Sequence, residues 1–174
     1  MKLVMKALQF ASEAHKDQRR KDAEYTPYIN HPIEVARILT EVNVDDEAVL
    51  AAALLHDVIE DTRYTYVDLL DTFDKEVADL VLDCTDDKTL PKQERKLLQI
   101  THTATLSDKA KLIKLADKIA NLTDILHNPP VEWDVKRKLK YFEWSKQVAD
   151  NAKGVNKDLD DWFDAVYEMN IFVK

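Results

Sequence analysis

Apolar residues recur at three- and four-residue steps along almost the whole chain, which places them on one face of an α-helix. Leu3, Val4, Ala7, Leu8, Ala11 and Ala14 set this pattern and predict a first helix ending near Asp17. A basic, aromatic loop follows over 19–30. Pro32 suits a first helical turn and opens a helix carrying Ile33, Ala36, Arg37, Ile38 and Leu39. Asp45, Asp46 and Glu47 form an acidic helix start, and the Ala- and Leu-rich helix beyond them is expected to reach Asp61. Thr65 caps the next, with Leu69, Leu70 and Phe73 facing inward. Residues 76–82 continue helical, Pro91 starts a helix through Ile100, and Ser107 or Asp108 caps a long one reaching Leu126. Pro129 and Pro130 break it. Residues 131–153 read as one long helix, stopped by Gly154, and Asn156 caps the last, to Phe172.

No run alternates convincingly with a period of two. Residues 25–29 and 84–90 are the two stretches where strands could pair briefly. The expectation is therefore an all-α fold, one domain over 1–174, with at most a short β-hairpin.

Composition narrows the chemistry. Gly154 is the one glycine in 174 residues, which excludes the glycine-rich phosphate loops of dinucleotide and P-loop proteins. Cys84 stands alone, so a cysteine-cluster metal site and an intramolecular disulfide are excluded. The start of the chain lacks the apolar stretch of a signal peptide, and no run approaches the ~20 apolar residues that span a bilayer. The expected location is cytoplasmic, with no membrane association. A net charge of −8 argues against a nucleic-acid coat. An anionic ligand must then be met by local clusters of Lys and Arg.

The sharpest chemical signal is His56-Asp57-Val58-Ile59-Glu60-Asp61. On a continuous helix, with His56 at 0°, Glu60 falls at about 40°, Asp57 at about 100° and Asp61 at about 140°. One imidazole and three carboxylates then form a polar wall beside an apolar face. On its own such a wall is usually a solvated surface. Here the flank Ala51-Ala52-Ala53-Leu54-Leu55 is almost wholly apolar, so the helix lies deep and its acidic end lines a cleft, where a cation would compensate the charge. Asp117, Asn121 and Asp124 form a second polar stripe, and His31 sits between Asn30 and Pro32.

Together His31, His56, Asp57 and Asp117 offer two imidazoles and two carboxylates. This set suits a divalent first-row ion, and manganese, iron, cobalt and zinc all fit by ligand type. The oxygen share and the absence of thiolates lean toward Mn2+. Glu60 and Asp61 would stand behind that ion to orient and deprotonate a water.

These residues resemble the HD-domain metal-dependent phosphohydrolases, whose pattern is a histidine, a later His-Asp pair and a distant aspartate. The likeness extends to Arg19-Arg20-Lys21-Asp22, Thr26-Pro27-Tyr28-Ile29-Asn30-His31-Pro32, Thr85-Asp86-Asp87-Lys88 and Lys114-Leu115-Ala116-Asp117-Lys118-Ile119-Ala120-Asn121-Leu122. Over nearly the whole chain this resembles the hydrolase domain of the RelA/SpoT-type alarmone enzymes. The stretches 90–96 and 141–144 look most like its stand-alone metazoan form.

The resemblance implies the HD helical fold, one Mn2+ ion, and hydrolysis of guanosine 3′,5′-bis(diphosphate) (ppGpp) to GDP and pyrophosphate. It implies His31, His56, Asp57 and Asp117 as metal ligands and Glu60 and Asp61 as the water-activating pair. Arg20 would stack on the base, and Lys21 and Asn121 would hold the nucleotide. It leaves removal of the 2′-phosphate of NADPH as the alternative activity. A silent nucleotide sensor would be expected to carry a damaged Glu-Asp pair, and both residues are present.

Lys88, Lys92, Arg95 and Lys96 form a second basic group, from which Lys92 is the expected phosphate contact. Tyr141, on a stretch with Trp133 and Trp144, would border the nucleotide. Cys84 reads as core. His15, His102 and His127 read as structural.

Overall fold

A helix apolar on every side must be surrounded, and the segment after Asp46 is such a helix. The computed structural model describes residues 1–174. In it α3 (Glu47–Leu55) has every residue from Ala48 to Leu55 buried. Around it lie α1 (Lys2–Ala14), α2 (Asn30–Glu41) and α6 (Lys75–Cys84). The second central element is α8 (Asp108–His127), packed against α2, α3 and α6 on one side and α9 (Val135–Asp150) and α10 (Lys157–Glu168) on the other. The short α4 (Val58–Asp61) and α5 (Tyr66–Thr72) continue from α3, α7 (Lys92–Thr103) leans on α9, and a 3-10 turn (Met169–Phe172) ends the chain. One continuous apolar core draws on every α-helix except α7. No helix is long and apolar enough to cross a membrane.

Side chains start the helices where the sequence places them. Asp46 accepts from the Ala48 and Val49 amides, Ser107 from Ala110, and Asn156 from Leu159. Thr65 and Asp68 form a reciprocal capping box. Each such cap contributes about 1 kcal/mol.

Several boundaries differ from the periodicity. The helix expected from Glu47 to Asp61 breaks at His56 and Asp57. Asp57 has φ −97° and ψ −2°, the bridge region frequented by active-site residues. The first helix stops at Ala14 rather than Asp17, because the chain turns at His15, whose carbonyl accepts from the Gln18 amide. Leu70, expected inside, is exposed. Trp133 precedes α9 rather than lying on it: Asp134 caps that helix, and the Val131 amide donates to the Lys21 carbonyl. The expected hairpin reduces to a single antiparallel bridge between Arg19 and Pro27. Asp22 ties its loop instead, accepting from the Glu24 and Thr26 amides at 3.0 and 3.1 Å. Residues 84–90 form no strand. Gly154, at φ +98°, makes the turn between α9 and α10 that a side chain would strain.

Candidate active site

Three helices of the core bring the chemistry together. His31 stands in the first turn of α2, His56 and Asp57 at the break after α3, and Asp117 mid-way along α8. Reactive atoms of His31, His56 and Asp117 all lie within 4.8 Å of one another. His31 Nε2 is 3.1 Å from Asp117 Oδ1, and His56 Nε2 is 3.7 Å from it. Asp57 Oδ2 joins them, 3.1 Å from His56 Nε2 and 3.9 Å from His31 Nε2. The structure thus brings all four expected ligands together.

The donor set fits a cation. His56 Nδ1 lies 2.8 Å from the Ala53 carbonyl oxygen. A carbonyl can only accept, so Nδ1 carries a proton and Nε2 is the nitrogen turned toward the carboxylates, where a bound ion would take the place of a second proton. That buried Nε2 has no hydrogen-bond partner, which is costly unless something positive fills the space. The charge points the same way. Asp57 and Asp117 carry two negative charges, and Lys118, buried with Nζ 3.0 Å from Asp117 Oδ2, offsets one. Burial would raise both carboxyls, but the His56 imidazole at Asp57, and Lys118 with both histidines at Asp117, hold them below the usual carboxylate range. Burial would likewise lower His56. Asp57 and Asp117 outweigh it and hold its pKa well above the ordinary value.

Tyr28 was not singled out from the sequence, yet its hydroxyl donates to Asp57 Oδ2 at 2.5 Å and reaches Asp61 Oδ2 at 3.4 Å. Burial and these carboxylates push its phenol well above its normal pKa, so it stays a donor. Lys118 was also passed over. Its place next to Asp117 is a signal in the sequence, whereas Tyr28, three residues before His31 in the Thr26–Pro32 stretch, carries none for this role.

Glu60 and Asp61 sit on α4, one turn past the cluster. Glu60 Oε2 accepts from the Asp86 amide at 3.1 Å, with Lys88 Nζ and Arg95 Nη1 3.8 and 3.9 Å from Oε1. Burial pushes the Glu60 carboxyl up to about 7, the Asp86 amide opposing. Asp61 pairs with Lys88, and its carbonyl accepts from Gln18 Nε2 at 2.6 Å. A partly buried carboxyl beside a polar cluster, with a pKa near neutrality, is suited to taking and returning protons.

The expected nucleotide residues also converge. A cavity of about 270 Å³ is lined by Arg20, Lys21, Asn121 and Tyr141, together with Tyr28, Asp124 and Trp133. Arg20 Nη2 donates to Asp124 Oδ2 at 2.5 Å and to Asn121 Oδ1 at 3.4 Å, while its guanidinium lies 5.7 Å from the Tyr28 ring centre. Asn121 Nδ2 donates to Asp117 Oδ1 at 2.6 Å, so one side chain joins the cavity to the buried cluster. Tyr141 packs between Trp133 and Trp144, at 5.5 and 5.2 Å.

Lys92 stands exposed in the first turn of α7, outside the residues lining this cavity. Lys96 comes nearer, 5.4 Å from the Tyr141 ring centre and 4.3 Å from that of Trp144. Burial, with Lys92, Lys118 and Arg137 close by, lowers its pKa to about 8.

A helical domain that gathers two histidines and two aspartates from α2, α3 and α8 around an unpaired imidazole nitrogen has the form of an HD domain. The HD domain family model matches residues 7–141, and the chain belongs to that family. Within it, the chain is 49% identical over 166 residues to a Xenopus tropicalis protein named guanosine-3′,5′-bis(diphosphate) 3′-pyrophosphohydrolase MESH1, covering 95% of this chain and 93% of that one. It is 50% identical over 159 residues to the Homo sapiens protein of the same name, covering 91% and 89%. A solved structure, described as a metazoan orthologue of SpoT that hydrolyses ppGpp and plays a role in starvation responses, superposes with a TM-score of 0.95 at 47% identity, covering 99% of this chain and 97% of that one.

Proposed function

We propose that the protein is a metal-dependent phosphohydrolase that hydrolyses ppGpp to GDP and pyrophosphate, acting as one domain over residues 1–174 in the cytoplasm. The carrying observation is the link from the Arg20–Asn121 cavity through Asp117 to the unpaired Nε2 of His56. A nucleotide held in that cavity presents its phosphates to the cluster. The relatives' names supply the substrate.

His31, His56, Asp57 and Asp117 would hold one divalent ion, with Mn2+ favoured by the mixed nitrogen and oxygen donors. When bound, the ion supplies Lewis acidity, lowering the pKa of a water and polarising a phosphoryl oxygen. The protein's own groups do the rest. Tyr28 and Asn121 fix the carboxylates of Asp57 and Asp117. Glu60 takes the proton of the attacking water, and Asp61, held by Gln18 and Lys88, orients that water beside it. Arg20 leaves Asp124 to stack on the base, its planar cation suited to a π-face. Lys21 and Asn121 hold the nucleotide, Tyr141 borders it, and Lys92 approaches the phosphates from the α7 end.

The test is turnover. Protein stripped of metal, reloaded with manganese and given ppGpp is expected to release GDP and pyrophosphate, separable by anion-exchange chromatography. The same preparation given NADPH provides the contrast. Orthophosphate from NADPH with ppGpp untouched would move the activity to the cofactor, and turnover of neither would overturn the proposal.

A further inference from the structure

Glu60 is reached from behind as well as from the cluster. Its Oε2 accepts from the Asp86 backbone amide at 3.1 Å. Asp86 lies in the turn between α6 and α7, with no helix or strand of its own to fix it. Two buried side chains from neighbouring helices take that role. Gln99 on α7 is 8% exposed, and its Nε2 donates to both carboxylate oxygens of Asp86, at 2.9 and 2.8 Å. Lys114 on α8 is 7% exposed, and its Nζ donates to the Cys84 carbonyl at 2.6 Å, where the turn leaves α6.

Both line a second cavity, of about 270 Å³, together with Thr85, Asp86 and Asp87 of the turn. A mobile turn would satisfy its polar groups with water. Ordering a glutamine and a lysine in the interior is costly in side-chain entropy and desolvation, and what this secures is the direction of one amide. That amide meets the carboxylate assigned to move the proton.

We infer that Gln99 is a positioning residue for the hydrolysis: by clamping the Asp86 carboxylate it aims the Asp86 amide at Glu60 and fixes that carboxylate in its working orientation. Lys114 anchors the same turn at its start. The inference rests on the reading of Glu60 as proton acceptor. Gln99 touches neither the four proposed ligands nor the Arg20 cavity, so it acts on the step that uses Glu60 and not on binding of metal or nucleotide. A carboxylate displaced by about 1 Å from its target is expected to cost on the order of 100-fold in rate.

The experiment is a double-substitution cycle on the manganese-loaded protein with ppGpp. Gln99→Met keeps the length and removes the donor. Its expected result is kcat down about 10- to 100-fold, with KM and bound manganese unchanged. In a Glu60→Gln background, Gln99→Met is expected to add no further loss, because both act on one step.

Amide exchange at Asp86 gives a readout independent of turnover: protected in the parent, and exchanging faster in Gln99→Met. Unchanged kcat and unchanged Asp86 protection in Gln99→Met would overturn the inference. So would a full multiplicative loss in the Glu60→Gln background. Undiminished turnover in Glu60→Gln alone would instead remove the underlying reading, and the Asp86 exchange result would still decide whether the clamp exists. If Gln99→Met fails to fold, Gln99→Glu, which sets a carboxylate against Asp86, carries the same expectations.

Discussion

The buried cluster and the nucleotide cavity are built on opposite principles. His31, His56 and Asp117 come from the helices that make the core, and each is less than a tenth exposed. Their positions are set by the packing of α2, α3 and α8, and the cluster is organised before any ligand arrives. The cavity is assembled from the 19–28 loop, the last turns of α8, the segment that joins it to α9, and Tyr141 on α9. Its key cation, Arg20, is already occupied by Asp124. The cluster therefore bears a standing cost of buried charge that an ion relieves, whereas the cavity must exchange an internal ion pair for its ligand. Rigidity sits where the chemistry needs geometry, and adjustability where recognition needs fit.

That contrast breaks most visibly at Asp57. Asp57→Ala is expected to abolish manganese binding and lower turnover by at least about a thousandfold, since the ligand set and the ion fall together. In the parent, manganese at about 100 times its Kd is expected to add about 2.7 kcal/mol, or about 5–10 °C in Tm. The variant should show no such shift by differential scanning fluorimetry. An equal shift in the variant would mean that the ion sits elsewhere.

The cavity side should respond differently. Arg20→Ala is expected to raise KM about 10- to 100-fold and leave the manganese-dependent Tm shift intact, because stacking and charge are lost from recognition alone. Steady-state kinetics beside the same thermal scan separates the two regions. Loss of the metal-dependent shift would show that the cavity and cluster are one unit.

The pH profile sharpens the boundary between them. Glu60 must be ionised to accept a proton, and burial holds its carboxyl at about 7. The expected kcat falls about tenfold per pH unit below that value. The same shift has a consequence for stability. A carboxyl raised in the folded state gives its full contribution below its ordinary pKa of 4.5 and loses it as pH rises through about 7. Metal-free Glu60→Gln is therefore expected to be more stable than the parent by up to about 3 kcal/mol at pH 8 and no different at pH 4. Chemical denaturation at the two pH values checks both sign and size.

Much of this architecture was legible in the sequence, for local reasons. Asp46, Thr65, Ser107 and Asn156 start helices through bonds to amides two or three residues away, so their roles show in short windows. His31, His56, Asp57 and Asp117 showed because ligand-type residues stood in an apolar context that demanded compensation. The break at His56 did not show, since every residue of α3 and α4 suits a helix, and what differs is their surroundings: α3 packs on α1, α2, α6 and α8, and α4 on α6. Trp133 looked helical until the Val131 amide was seen bonded to the Lys21 carbonyl, a contact between distant segments. Tyr28 and Gln99 act across the fold, on Asp57 and Asp86, and nothing in their neighbours in sequence announces it; Lys118 acts on the residue beside it. Asp124 had a place in a polar stripe, but its pairing with Arg20 spans most of the chain.

The most direct test takes one variant and reads two quantities on the same sample. Manganese-loaded Glu60→Gln should retain one ion per chain by elemental analysis while its turnover of ppGpp falls by about 100- to 10,000-fold, the contribution of a general base. Retained metal with lost turnover is the result this account predicts. Retained metal with turnover at the parent level would contradict it, and would move the proton transfer away from Glu60.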